Sequence, residues 1–284
     1  MSRKLSFVLL LTLAAGFASG QQEVEKKQIG IQLWSVRDAL KDDVPGTIEQ
    51  LGQIGYSFVE AAGYNDGQFY GMEPTEFKAL LEKNGMTMKG SHAGINLPKE
   101  GEWDSAMNWW DQCIAAHKAA GAEWIVKPSM GDEAYRSLET LQRYCDYYNA
   151  IGEKCNAAGI QFGYHNHAHE FETKLDGQLF YDYLLQHTDP DKVMFELDLY
   201  WIKEGGKEAL DYFKQYPGRF ELYHVKDETE LGGKDATMDF KPLFEASRQA
   251  GMKNYIVEVE RYHYDPMESV RMSYDFLNQA EYTH

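Results

Sequence analysis

The stretch Ala157-Ala158-Gly159-Ile160-Gln161-Phe162-Gly163-Tyr164-His165-Asn166-His167 carries the reading that decides the fold. Small helix-forming residues stop at a glycine, a short apolar strand follows, and the strand runs out on imidazoles and an amide. Glycine just past a helix takes the left-handed conformation cheaply and turns the chain into the next strand. The same unit recurs along the chain. Leu51-Gly52-Gln53-Ile54-Gly55 precedes Phe58-Val59-Glu60, and Leu81-Glu82-Lys83-Asn84-Gly85 precedes Met86 to His92. Ala119-Ala120-Gly121 precedes Trp124-Ile125-Val126-Lys127, and Gln249-Ala250-Gly251 precedes Tyr255 to Glu260. Ile29 to Leu33, Val193 to Asp198 and Phe220 to Val225 bring the expected strands to eight. The segments between them show helical spacing, such as Phe77, Leu80 and Leu81 behind Pro74 in a first turn. Strict alternation of this kind demands parallel strands with crossover helices. Eight such units predict an α/β chain closed into a (β/α)8 TIM barrel, one domain over residues 28–284 with no Pro/Ser-rich linker to divide it.

Residues 1–20 have a separate logic. Arg3 and Lys4 precede the apolar run Phe7 to Ala15, and Ala18-Ser19-Gly20 offers small residues for cleavage. That is the pattern of a signal peptide, with an apolar core too short to span a bilayer; a membrane anchor is the rival reading. The segment has no cysteine for lipid attachment. The expected product is an exported chain, periplasmic or secreted, starting near Gln21. Removing 20 of 284 residues leaves 264, a typical length for one α/β barrel, and takes the formal net charge from −17 to −19. So acidic a chain disfavours nucleic acid, and no later apolar run is long enough to span a membrane. Cys113, Cys145 and Cys155, an odd number at helical positions, read as buried apolar residues rather than a disulfide framework.

In a parallel barrel the chemistry gathers where strands end and the following loops begin. The expected strand ends are polar almost without exception: Trp34, Glu60, His92, Lys127, His165 to His167, Asp198, His224 to Asp227 and Glu258 to Glu260. Side chains alternate between the faces of a strand. With Val193, Phe195 and Leu197 turned to the helices, Asp198 points inward; with Val257 and Val259 outward, Glu258 and Glu260 point inward. Leu222, His224 and Lys226 share one face, as do His165 and His167. Four neighbouring strands thus aim His165, Asp198, His224 and Glu258 into one mouth. Two imidazoles and two carboxylates suit Mn²⁺, Zn²⁺, Co²⁺ or a similar divalent ion, with positions left for substrate oxygens. The bland alternative is a hydrated pore laced by salt bridges to Lys127, Lys226 and Arg261.

These residues resemble the xylose isomerase-like TIM-barrel superfamily, the sugar phosphate isomerase/epimerase group, in an exported subgroup. The resemblance runs from Ile29-Gly30-Ile31-Gln32-Leu33-Trp34-Ser35-Val36-Arg37 to Ser273-Tyr274-Asp275-Phe276-Leu277. Its most specific pieces are Tyr164-His165-Asn166-His167 with Glu170-Phe171, His224-Val225-Lys226-Asp227, and Val257-Glu258 ahead of Asp265-Pro266. It implies a metal-dependent enzyme acting on a sugar, keto-sugar or keto-glycoside through an enediolate. In ketose 3-epimerases of the group, Glu, Asp, His and Glu from strands five to eight hold the metal. The matching places here are His165, Asp198, His224 and Glu258, so histidine stands where the epimerases carry a glutamate that doubles as acid/base. That departure disfavours balanced two-base epimerisation and favours elimination or hydration beside a carbonyl. The expected catalytic groups are Glu260 or His167 as base and Lys226 as oxyanion or leaving-group partner. Trp34, Glu60, His92, Lys127 and Arg261 are the candidate substrate contacts. Trp103, Trp109 and Trp110 extend the possible stacking wall, with Trp109 and Trp110 equally readable as helix core. The expected partner is a small sugar, and a homo-oligomer is left open. An exported glycoside hydrolase-like barrel and a non-catalytic sugar-binding barrel are the other classes the strand-end carboxylates admit.

Overall fold

The change from helical to strand periodicity at each glycine becomes a closed ring of eight parallel strands in a computed structural model, which describes residues 27–283. In chain order they are β1 (Gly30–Gln32), β2 (Phe58–Ala61), β3 (Thr87–His92), β4 (Trp124–Lys127), β5 (Gln161–His165), β6 (Val193–Asp198), β7 (Phe220–Val225) and β8 (Asn254–Val257). Each pairs with its sequence neighbours, and β8 closes on β1 through Gly30 beside Ile256. Helices such as Val44–Ile54, Pro74–Lys83, Trp103–Ala120 and Leu138–Ala158 wrap the outside. Gly55, Gly85, Gly121, Gly159 and Gly251 all have positive φ, as the helix-to-strand turns require. Among the described residues no helix is long and apolar enough to cross a membrane. Cys113, Cys145 and Cys155 are free and buried. The signal-peptide expectation for residues 1–20 lies outside the described residues.

The barrel interior is layered. Phe58, Trp124, Met194, Leu222 and Ile256, with Val126, form an apolar plug separate from the main core between strands and helices. Gly30 and Gly90 make that plug possible: a Cβ at Gly30 would fall 2.2 Å from the Phe58 ring, and one at Gly90 1.9 Å from Trp124. Two residues further along most strands the lining turns polar, with Gln32, Glu60, His92, His165, Glu196, His224 and Glu258. Another step of two reaches Trp34, Ala62, Pro128, His167, Asp198, Lys226 and Glu260 at the mouth. Period-two alternation thus turns one apolar floor into two chemical tiers.

Three details depart from the sequence reading. β8 stops at Val257 rather than Glu260, because the Glu258 amide still reaches Val225 O while the Val259 amide donates to Ser35 Oγ at 2.9 Å. The register shifts between Val59 and Glu60 against β3, and between Phe195 and Glu196 against β7. Such irregularities re-aim side chains near active sites, and each one here immediately precedes a buried carboxylate. Two small hairpins, Tyr64–Asn65 with Gln68–Phe69 and Lys174–Leu175 with Gln178–Leu179, rise beyond β2 and β5. Their turns are Asp66-Gly67 and Asp176-Gly177, with positive φ at both positions as a tight hairpin needs.

Candidate metal centre and active site

The ends of β5 and β6 are stitched together before any ligand is considered. Asn166 accepts the Asp198 amide at 3.0 Å and returns a bond to the Asp198 carbonyl. Glu170 accepts from the Tyr164 hydroxyl at 2.7 Å and from the His167 amide at 2.8 Å, fixing the turn that carries both histidines. Asp198 caps the helix Leu199–Glu204, with one carboxylate oxygen accepting the Tyr200 and Trp201 amides at 2.9 and 2.8 Å. The motif His165-Asn166-His167 is therefore two functional side chains around a structural amide.

Donor atoms of His165, Asp198, His224 and Glu258 all lie within 4.8 Å of one another. Two of those side chains hold buried atoms without a hydrogen-bond partner: Asp198 Oδ2 and His224 Nδ1. Burial pushes the Asp198 carboxyl up to about 7, against the pull of Lys226. Burial also works against charge on Glu258, but Lys226 and His224 outweigh it and hold that carboxyl well below the usual range. A buried carboxylate oxygen left unsatisfied costs about 1–3 kcal/mol or more, so the unfilled valences have to be explained. A divalent cation among these four donors fits the donor chemistry and explains both.

A second cluster, His92, His165, Glu196 and His224, lies directly beneath and shares two histidines with the first. Its character is different. Glu196 Oε2 takes contacts from His92 at 2.7 Å, His165 Nδ1 at 3.1 Å and His224 Nε2 at 3.2 Å. Glu60 accepts from Gln32 at 2.8 Å, from the Trp124 indole at 2.8 Å and from His224 Nε2 at 2.9 Å. These carboxylates engage one nitrogen of each shared imidazole and leave the other to the upper cluster. Orienting a metal-binding histidine through its far nitrogen is the usual task of such a carboxylate. The sequence reading did not single out Glu196. The signal was present: turning Phe195 and Leu197 outward turns Glu196 inward with Asp198.

A cavity of about 360 Å³ opens above the upper cluster, lined by Trp34, Ala62, His92, Pro128, Ser129, His165, His167, Glu258 and Glu260. Lys226 is buried and does not line the cavity itself but pairs with two residues that do, Glu258 at 2.9 Å and Glu260. Burial pulls the Lys226 pKa down, but these carboxylates and Asp198 more than offset it and hold the amine charged. Burial pushes His167 down to about 4, so it stands as neutral imidazole at pH 7. Trp34 is 45 % exposed and walls the cavity.

Three expected substrate contacts are not brought to the cavity. Glu60 is fully buried below the histidines and committed to Gln32, Trp124 and His224. Lys127 falls on the face of β4 opposite Trp124 and Val126, its stem against Gly94, where burial pushes the amine down to about 8. Arg261 turns outward to Glu228 with its side chain 60 % exposed. Glu60 and Lys127 do lie at or next to strand ends and Arg261 lies beyond the end of β8, but burial depth and face keep all three from the cavity. Trp110 is core and bonds to Tyr147 at 2.7 Å, Trp109 packs against the same core, and Trp103 meets Tyr147 edge-on; none lines the cavity.

Comparison with known proteins agrees with this architecture. Residues 48–280 match the family described as xylose isomerase-like TIM barrel. An inosose dehydratase of Lacticaseibacillus casei is 28 % identical over 172 residues, 52 % of this chain and 53 % of the relative. The chain thus spans about half the length of the curated relatives it matches first. A crystal structure of a sugar phosphate isomerase/epimerase from Parabacteroides distasonis superposes with a TM-score of 0.84 at 28 % identity, covering 91 % of this chain and all of that one. The IolI protein, solved with a zinc atom, superposes with a TM-score of 0.68 at 14 % identity, covering 88 % of this chain and 96 % of that one, and so shares the fold.

Proposed function

The chain belongs to the xylose isomerase-like TIM-barrel family, and from that premise we propose that it is a metal-dependent enzyme acting on a keto-sugar or related sugar through an enediolate. The observation that carries this reading is the convergence of His165, Asp198, His224 and Glu258, with Asp198 Oδ2 and His224 Nδ1 unpartnered, under a cavity rimmed by a carboxylate and an imidazole. A divalent ion held there supplies Lewis acidity, which lowers the cost of negative charge on neighbouring substrate oxygens.

The chain's own groups do the rest. Glu260 is the proton acceptor at the carbon beside the carbonyl, held over the cavity by Lys226. His167, on the far side of two intervening strands, is neutral and takes the proton of water entering at the adjacent carbon; in the elimination direction it gives that proton to the leaving hydroxyl only from its protonated form. Lys226 positions Glu260 and Glu258 rather than donating its own proton, since both carboxylates engage it. Trp34 presents a ring for the apolar face of a sugar. With one carboxylate base and no glutamate at the end of β5, elimination or hydration is favoured over balanced epimerisation. The dehydratase names of the curated relatives support that direction.

The test is turnover of a panel of keto-sugars and keto-glycosides in deuterated water, with and without added Mn²⁺, Zn²⁺ or Co²⁺. Metal-dependent loss or gain of water supports the reading. Deuterium at an inverted carbon with no group lost or gained replaces it by epimerisation, and turnover indifferent to a chelator returns the hydrolase class. Export is part of the same proposal, resting on residues 1–20. A mature protein recovered from cells with Met1 to Gly20 still attached would refute it.

A further inference from the structure

Next to the cavity over the metal-binding residues lies a second hollow of about 400 Å³, lined by Leu33, Trp34, Arg37, Leu40, Lys41, Val44, Ala62 and Tyr70. The two share Trp34 and Ala62 as a common wall. Each alone falls in the small-molecule range of about 300–1,000 Å³. We propose that this hollow is a second subsite, taking an aromatic ring with an acidic or acceptor edge that is joined glycosidically to the sugar in the first cavity. The inference rests on the sugar reading above and extends it to an aryl glycoside.

The lining argues for that class. Leu33, Leu40 and Val44 supply aliphatic floor and side, and Trp34 and Tyr70 supply ring faces. A second sugar ring would need several hydrogen-bonding partners around its rim, and this lining offers few. Arg37 supplies the polar end. Its guanidinium lies 5.0 Å from the Trp34 ring and donates to the Trp34 carbonyl at 3.0 Å and the Tyr262 hydroxyl at 2.8 Å. Among the described residues it has no carboxylate partner within salt-bridge distance, in a chain of formal charge −17. Lys41, by contrast, is already paired with Asp38 at 2.7 Å. A guanidinium over an aromatic wall, with no carboxylate within salt-bridge distance, suits a planar acceptor such as a carboxylate.

The Tyr70 wall is built with care. Tyr70 has φ +52°, a region few bulky residues occupy. Its amide donates to Gly63 O at 3.0 Å, its hydroxyl accepts the Ala62 amide at 2.8 Å, and its ring lies where any Cβ at Gly63 would collide. The hairpin after β2 therefore delivers this ring to the shared wall. Backbone held in such a conformation clusters at ligand sites.

The experiment measures binding of four glucosides to the metal-loaded full chain by calorimetry: methyl, phenyl and 4-carboxyphenyl β-D-glucopyranoside, and cellobiose. The expected order places the phenyl glucoside about tenfold tighter than the methyl one, and the carboxyphenyl glucoside tighter still. Val44→Trp, which fills the hollow from its rim, should erase the phenyl advantage and leave methyl glucoside binding unchanged. Arg37→Gln should remove only the added gain from the carboxylate. Methyl glucoside binding with no aryl gain overturns this subsite and spares the sugar reading. No binding by any of the four overturns the subsite, and turnover of the keto-sugar panel decides the sugar reading separately. A gain for cellobiose equal to that for the aryl glucosides overturns the aromatic assignment.

Discussion

Two tiers of ionisable residues share one barrel, and they are finished to different degrees. In the lower tier Glu60 and Glu196 sit against imidazole, indole and amide donors, and Glu196 alone draws three histidines to a single oxygen. In the upper tier Asp198 spends one oxygen capping a helix and leaves the other bare, while His224 Nδ1 faces Glu258 at 3.5 Å without a hydrogen bond. The lower tier accounts for the charge of its carboxylates with protein groups, although Glu196 Oε1 itself lacks a hydrogen-bond partner. The upper tier does not, although Asp198 follows Glu196 by two residues on β6 and His165 and His224 belong to both clusters. Burying polar atoms without partners is costly, so Asp198 Oδ2 and His224 Nδ1 mark where a ligand is awaited, and the bare lower-tier oxygen, Glu196 Oε1, lies on a carboxylate already drawn to three imidazoles.

The largest expected effect lies in the upper tier. Asp198→Ala or His165→Ala should abolish metal retention on dialysis and lower turnover by about 10³-fold or more, with far-ultraviolet circular dichroism largely unchanged. Retention of metal by Asp198→Ala would move the site to the lower tier. Glu260→Gln should keep the metal and cost about 10²-fold or more in rate, the scale of general base catalysis. If its rate is unaltered, the same substitution strategy applied to His167 locates the base. Glu196→Gln tests the lower tier as support: metal affinity should fall by about 10- to 100-fold without losing the site. An unchanged affinity would show that the histidines need no orienting carboxylate.

The smallest effect is in pH. Burial raises Asp198 to about 7, and Glu196 and Glu258 raise His224 well above its ordinary value despite the opposing effect of burial. Both groups must lose protons to bind a cation, so protons and metal compete. Metal affinity should therefore rise as pH increases from about 6 to 8 and fall on acidification through about 7. Isothermal titration at several pH values checks the sign. An affinity that falls over that range would contradict the assignment of Asp198 and His224 as ligands.

Much of this was legible in the sequence for a simple reason. Glycine-terminated helices and apolar strands are local signals, and side-chain alternation on a strand needs no tertiary information. That is why the barrel and the shared inward face of His165, Asp198, His224 and Glu258 followed from residues alone. What failed was depth. Glu60 lies one residue before the end of its strand, yet it is buried below the histidines and bonded to Gln32 and Trp124 next to a register shift. Lys127 was read by position and not by face, although Trp124 and Val126 inward place it outward. Arg261 and Glu228 meet only through folded loops, 33 residues apart. The hollow behind Trp34 depends on a hairpin of two-residue strands, too short to leave a periodic signal.

Metal analysis tests the central claim most directly. The full-length protein, purified without chelator, supplemented with Mn²⁺, Zn²⁺ or Co²⁺ and dialysed, should retain one divalent ion per chain. A crystal structure with anomalous scattering should place that ion about 2.0–2.3 Å from donors of His165, Asp198, His224 and Glu258. Chains that retain no metal, or an ion bound instead by His92 and Glu196, would contradict the account.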